Sequence, residues 1–225
     1  MIGALSLPGA GPVADRPAEL LVVIGLLALV PAALVMLTSF LKIAVVLSIA
    51  RSALGAPQVP PGTVITGLAL VLTLLVMAPV AERCAVLARP GPGERGAAGS
   101  LATFSRASGP LRQFLARFAR PDDRAAFLEV AARLRGTDGP APAEDDLAVL
   151  APAFVVSELR RAFTIGFLVF LPFLVVDLVV SNVLLALGLS QLSPTSVSLP
   201  FKLLLFVAVD GWKVLARALA LSYAG

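Results

Sequence analysis

The chain has 225 residues, of which 58% are hydrophobic and 14% are charged. Soluble domains carry about 25% charged residues, so this composition indicates a membrane protein. The single cysteine excludes an intrachain disulfide, and the absence of histidine from the sequence excludes zinc hydrolases and His-dependent catalytic triads. The net charge of +4 does not indicate nucleic-acid binding, because the basic residues of the central region are interleaved with acidic ones.

The chain begins with an N-terminal tail, residues 1–19, that contains prolines and lacks the basic start of a cleavable signal peptide. We therefore expect the apolar run that follows to be retained. Residues 20–81 predict a first apolar helical hairpin, in which Leu20–Leu41 carries no charge and is long enough to cross a hydrocarbon core of about 30 Å. Because Pro31 lies inside this run and the apolar sequence continues beyond Lys42, a kinked or two-part helix is expected.

A proline-rich break at Gly55–Gly62 precedes the second apolar segment of this hairpin, Thr63–Ala81. The chain then becomes polar, and residues 82–151 predict an Arg/Ala-rich central helical region. Two stretches of this region place apolar residues at helical spacing, Leu111, Phe114, Leu115 and Phe118 in the first and Phe127, Val130, Ala131 and Leu134 in the second. We predict two short amphipathic helices, followed by a linker at Gly136–Ala143.

Residues 152–225 predict a second apolar helical hairpin. Its apolar runs are Phe163–Leu189, interrupted by Pro172, and Val197–Leu221. Four charged residues lie in the last run, Lys202, Asp210, Lys213 and Arg217. Each charge costs about 2.5 to 3.5 kcal/mol at a bilayer centre, so these side chains must face protein, water or headgroups. The predicted fold class is therefore an all-α membrane protein with two long apolar hairpins, kinked helices and a small polar helical region between the hairpins.

Four ionisable residues embedded in apolar sequence are candidates for charge pairs that support assembly: Lys42, Asp177, Lys202 and Asp210. Opposite charges on neighbouring helices or subunits would offset the cost of their burial. The alternative is a proton or ion relay, as in a proton-coupled transporter or an ion channel. We favour pairing because the two carboxylates lie in separate segments. No residue is proposed as catalytic, cofactor-binding or metal-binding, and a membrane enzyme is the least supported alternative.

Four segments of the chain carry long, specific strings. They are MLTSFLKIAVVLSIARSALG (36–55), TGLALVLTLLVMAPV (66–80), PAFVVSELRRAFTIGFLVFLPFLVVDLVVSNVLLALG (152–188) and VSLPFKLLLFVAVDGW (197–212). In this order they closely resemble the FliP/SctR family, an export-gate component of bacterial type III secretion. The string VVSNVLLALG is more similar to the virulence branch of this family than to the flagellar branch.

The resemblance implies a pore-forming structural subunit rather than an enzyme. Several copies would assemble with two smaller export-gate membrane subunits and with larger export and basal-body components, and the assembly would admit unfolded secreted polypeptides. The implied location is the bacterial inner membrane, with a multi-pass topology at the centre of the secretion basal body. Neither a cofactor nor nucleic acid is implied.

The pore loop is a further expectation from the resemblance. The family commonly carries a run of methionines after the third segment, and here those positions hold Leu189, Ser190 and Gln191. These three residues are therefore candidates for the loop that narrows the pore. A collar made of Leu189 would be stiffer than one made of methionine, because the unbranched methionine side chain repacks easily.

Overall fold

The structure, a computed structural model, describes residues 24–25, 28, 31–32, 35–56, 59–89, 97–136, 140–189 and 191–224. Within these ranges the regular structure is entirely α-helical, which confirms the predicted fold class. The predicted N-terminal tail lies outside the described residues, as does most of the segment 20–34.

The helices of the described residues fall into two long apolar helices and a set of shorter ones. In chain order they are α1 (Phe40–Ala53), α2 (Gly62–Leu87), α3 (Ala97–Ala107), α4 (Gly109–Phe118), α5 (Pro121–Arg135), α6 (Leu147–Ala186), α7 (Pro194–Ala208) and α8 (Gly211–Leu221). By length and composition α2 and α6 are able to cross a membrane, and α7 is a shorter apolar helix.

Helix α1 lies at the centre of the packing. One face of this helix, with residues at helical spacing, is fully buried and consists of Ile43, Val46, Leu47 and Ala50. This helix packs against α6 and α2. The contact with α6 is close at Gly166, where an added Cβ would meet Ile49 Cδ1 and would lie 3.1 Å from Ile49 Cγ2. A glycine at this point allows the two helices to approach each other.

The two predicted amphipathic helices correspond to α4 and α5, and they differ in burial. Helix α4 buries Phe114, Leu115 and Phe118 in the core. Helix α5, which the structure describes in full, buries none of its residues, and Leu134 is 83% exposed. Phe127 is half-buried and packs against the core, whereas Val130 and Leu134 are exposed, so the predicted apolar face of α5 is only partly covered within the described residues. The contact of α5 with α6 also includes a polar pair, in which Ser157 Oγ donates to Asp123 Oδ2 at 2.6 Å.

Helix α6 is longer than its apolar run. It begins at Leu147, inside the predicted polar region, and continues through Pro152 and Pro172. The early turns are stabilised by burial, because Leu150 and Phe154 are fully buried. The last apolar run is instead divided between α7 and α8, at Asp210, which adopts the left-handed conformation with φ 53°.

Candidate functional site

A group of four polar side chains around a buried carboxylate, which we call the Glu158 cluster, joins α1, α6 and the residues after α8. Its members are Lys42, Glu158, Arg161 and Tyr223. Glu158 is fully buried; Lys42 Nζ lies 3.4 Å from its Oε2, and Arg161 Nη1 donates to its Oε1 at 2.9 Å. The Tyr223 hydroxyl also donates to Glu158 Oε2. One carboxylate thus accepts from two cations and a phenol.

Tyr223 closes this cluster from the other side of the lysine. The Lys42 ammonium lies 3.6 Å from the centroid of the tyrosine ring, a cation–π distance. Burial raises the pKa of the Tyr223 phenol above its usual range, and the negative charge of Glu158 raises it further. The phenol therefore keeps its proton and acts as a hydrogen-bond donor at neutral pH.

Helix geometry explains why these side chains meet. Lys42 and Val46 are four residues apart on the buried face of α1, and Phe154, Glu158 and Ala162 are four residues apart on the buried face of α6. A buried ion pair gives little net stability relative to an apolar pair, but removal of one partner leaves an uncompensated charge and costs about 3–5 kcal/mol. The cluster therefore makes the register between α1 and α6 highly specific.

A second group, the Asp177 cluster, joins α6 and α7 and consists of Asp177, Ser198 and Lys202. Lys202 Nζ donates to Asp177 Oδ2 at 2.6 Å, and Ser198 Oγ donates to Asp177 Oδ1 at 2.6 Å. Ser198 and Lys202 are one helical turn apart on α7, so both reach the same carboxylate. The Lys202 side chain is 4% exposed and that of Asp177 is 30% exposed.

Lys202 also lies against the end of α1. Its Nζ is 3.7 Å from the position that a Cβ would take at Gly55, where φ is +75°. Glycine adopts this left-handed conformation without steric cost. Gly55, the second residue after the end of α1, therefore turns the chain away from α1, and α7 packs closely over Gly55.

The four charge-pair candidates take part in three separate ion pairs, two of which include a residue that was not a candidate. Lys42 pairs with Glu158, and Asp177 pairs with Lys202, each within the chain. Asp210 lies 3.2 Å from Lys213, but both side chains of that pair are largely exposed. Lys42 and Asp177 thus belong to different clusters and do not form one row of titratable groups.

The candidate pore loop lies between α6 and α7. Leu189 and Gln191 are exposed there, while Ser190 lies outside the described residues. Helix α6 ends in a Schellman motif, in which Leu189 N–H donates to Leu184 C=O at 2.9 Å and Gly188 has φ +71°. This motif fixes the direction in which the loop leaves the helix.

Sequence reasoning did not single out Glu158, Arg161, Ser198 or Tyr223. Glu158 lies beside Arg160 and Arg161 at the start of an apolar run, where charges usually mark a helix end. Its spacing from Phe154 and Ala162 was the available signal that it faces inward. No such signal was available for Tyr223, because its contacts are with residues far away in the chain.

Comparison with known proteins places the chain among export and translocation proteins. The FliP family matches residues 23–219. A relative from Xanthomonas campestris pv. glycines, named pathogenicity-related ORF2, is 47% identical over 93% of this chain and 98% of that protein. Yop proteins translocation protein R of Yersinia pestis is 44% identical over 92% of this chain and 96% of that protein. The flagellar biosynthetic protein FliP of Pectobacterium carotovorum subsp. carotovorum is 44% identical over 96% of this chain and 83% of that protein.

Proposed function

The chain belongs to the FliP family, and from that premise we propose that it is a pore-forming structural subunit of a type III secretion export gate. The observation that carries the proposal is the match over residues 23–219, which covers most of both proposed apolar hairpins and the loop between α6 and α7. In this proposal the chain acts as a conduit and a seal and performs no chemical turnover.

The exposed apolar surface supports assembly into a larger complex. Large apolar side chains remain exposed along α2 and along the second half of α6, among them Leu74 at 70% and Leu185 at 69%. Contiguous apolar surface of this kind marks contact with lipid or with other protein chains. We propose several copies of the chain, two smaller export-gate membrane subunits, and larger export and basal-body components as the partners. Unfolded secreted polypeptides are the proposed cargo.

The proposed location is the bacterial inner membrane, at the centre of the secretion basal body. The proposed organisation keeps a tail (1–19), two apolar hairpins (20–81 and 152–225) and the central region (82–151). We favour the virulence branch on the string VVSNVLLALG. The chain is 47% identical to the relative named for pathogenicity and 44% identical to the relative named for the flagellum. These identities are too similar to separate the two branches.

The charge clusters favour this structural role over an ion relay. The Glu158 carboxylate accepts from three donors, and the Asp177 carboxylate accepts from two. A relay needs carboxylates that exchange protons with a pathway, whereas each of these two is already engaged by donors within the chain. We propose that both clusters fix the shape of the subunit for assembly, and that Leu189 and Gln191, with Ser190, form the constriction.

The test is co-expression of the chain with its candidate partner subunits, followed by native mass spectrometry and a secretion assay in cells that lack the chromosomal copy. We expect a complex with several copies of this chain and restored secretion. The variant Asp177→Asn should reduce the yield of the complex. A monomer that restores ion flux and no protein secretion would contradict the proposal and support the transporter alternative.

A further inference from the structure

A strongly cationic cavity of about 570 Å³ opens beside the Glu158 cluster, between α4, α6 and the residues after α8. Five basic side chains line it, Lys42, Arg117, Arg120, Arg160 and Arg161. Thr164 and Ser222 also line it, with hydroxyls that donate to the Arg160 and Leu219 carbonyls. The described residues that line it include no acidic side chain. We call it the arginine cavity.

The Glu158 cluster and Arg160 together bring more positive than negative charge to the arginine cavity. Glu158 is shared between Lys42 and Arg161, so the Glu158 cluster by itself carries a net positive charge. Asp122 lies 3.2 Å from Arg120, on an exposed side chain. Arg160 adds a further positive charge from the exposed side of α6. Opposite charge from a ligand would therefore be favourable here.

Arg161 is held in a fixed orientation at the cavity. Its Nη1 donates to the Phe118 carbonyl at 2.7 Å and to Glu158 Oε1 at 2.9 Å. The remaining guanidinium donors form a rigid fork, the geometry that suits two oxygens of one phosphate. The site is thus pre-organised by the same contacts that stabilise the fold.

The surface next to the cavity is apolar. Starting one turn after Arg160, α6 exposes Phe163, Phe167 and Leu168 by 61%, 62% and 60%. Phe163 and Phe167 follow Arg160 at i+3 and i+7, so they share its side of the helix. A cationic cavity thus lies directly above an apolar stripe on a helix long enough to cross a membrane.

We propose that the arginine cavity binds the phosphodiester headgroup of an anionic phospholipid, whose acyl chain lies along Phe163, Phe167 and Leu168. Arg160 contacts the phosphate from the open side, and the remaining guanidinium donors of Arg161 contact it from the wall of the cavity. A free phosphate ion would use the cavity but leave the apolar stripe uncovered. An amphiphile matches both surfaces, as in other basic pockets beside membrane helices.

The test uses the full chain in complex with its partner subunits, purified in a neutral detergent. Fluorescent phosphatidylglycerol is titrated by anisotropy, with unlabelled phosphatidylglycerol, phosphatidylcholine and inorganic phosphate as competitors. We expect unlabelled phosphatidylglycerol to compete at least about tenfold better than the other two. Arg160→Gln should weaken binding by about fivefold, as expected for one cation near a lipid phosphate.

The matched control is Arg133→Gln, which removes an exposed arginine of α5 outside the cavity. Arg160→Gln leaves the Glu158 cluster intact, and thermal unfolding of each variant shows whether it is folded.

Equal competition by phosphatidylcholine, or equal weakening by Arg133→Gln, would overturn the proposal. Inorganic phosphate competing as well as phosphatidylglycerol would assign the cavity to a free anion. Loss of a partner subunit from Arg160→Gln without loss of lipid binding would assign it to an acidic protein segment. None of these results bears on the proposed role in secretion, which is measured separately.

Discussion

The second half of α6 is more apolar than the first, yet fewer of its residues are buried. In the first half, residues 147–166, eight side chains or glycines are buried, Val149, Leu150, Ala153, Phe154, Ser157, Glu158, Ala162 and Gly166. In the second half, residues 167–186, the buried residues are Phe173 and Leu184. The first half finds its partners within the chain, in α1 and α4. Hydrophobicity therefore does not determine burial in this helix, whereas the availability of a packing partner does.

The charge clusters follow the same division. In the Glu158 cluster, which lies in the packed half, the carboxylate is fully buried, while the Asp177 carboxylate in the open half is 30% exposed. The Glu158 carboxylate is stabilised only by its protein partners, whereas the Asp177 carboxylate is also stabilised by solvent. Disruption of the first cluster should therefore cost more than disruption of the second.

Reversal of charge at Lys42 should have the largest effect. Lys42→Glu places two carboxylates together in a buried site, which should cost at least about 3–5 kcal/mol of stability and prevent assembly. The swap Lys42→Glu with Glu158→Lys should restore part of the loss, because it re-forms an ion pair between positions 42 and 158. The rescue should be incomplete, because Arg161 then lies beside a lysine. Thermal unfolding and the yield of the complex measure both. The control is Lys213→Glu, at an exposed residue, and equal losses for it would show that burial is not the cause.

Gly166→Ala tests the close contact in the packed half. The new methyl group would meet Ile49, so we expect a loss of about 1–3 kcal/mol from overpacking. Gly67→Ala in α2 is the matched control, since no heavy atom lies within 4 Å of its added Cβ. That change should stabilise the helix by about 0.5–1 kcal/mol. If thermal unfolding showed that both substitutions change stability in the same direction, the result would contradict the packing described for α1 and α6.

Lys202→Met tests the open half. It removes the donor at 2.6 Å from Asp177 but leaves that carboxylate its serine donor and access to solvent. We expect a loss of about 1–2 kcal/mol, smaller than that at Lys42. Lys213→Met should change stability very little. A loss as large as that of Lys42→Glu would show that the Asp177 cluster is covered within the assembly.

Tyr223→Phe should cost about 1 kcal/mol near neutral pH, where it removes one hydrogen bond. The folded state raises the pKa of this phenol above its ordinary value of 10.0. Below that pH both states keep the proton; above it the unfolded state loses the proton first, so the parent loses stability as pH rises. The difference in melting temperature between parent and variant should therefore shrink above about pH 10. If the difference in melting temperature increased above that pH, the result would contradict a protonated Tyr223 in the folded state.

Changes in the loop after α6 should leave stability unchanged and alter the seal. Leu189→Gly should increase ion leak through the reconstituted complex, and Gln191→Ala should have a smaller effect, because an apolar collar excludes water and ions. Leu192→Gly, an exposed change in the same connection, is the control. An unchanged leak in all three variants would place the seal elsewhere in the complex.

The helical fold was predictable because long apolar runs leave the backbone few alternatives. The sequence also identified Lys42, Asp177 and Lys202 as residues that need partners. Their partners were not predictable: Glu158 lies in a charged string that resembles an exposed helix end. Tyr223 reaches it only through the tertiary fold. The face of α5 was predicted from periodicity alone, and periodicity indicates an apolar stripe without showing what covers it.

The Glu158 cluster also has a consequence for the order of biosynthesis. Lys42 is made first, Glu158 follows more than a hundred residues later, and Tyr223 lies a further 65 positions along the chain. At roughly 5–20 residues per second, the ribosome needs on the order of 6–25 seconds to supply the carboxylate after the lysine. During that interval α1 carries an unpaired ammonium and cannot settle in an apolar environment. The first hairpin therefore completes its packing only after most of the chain has been translated.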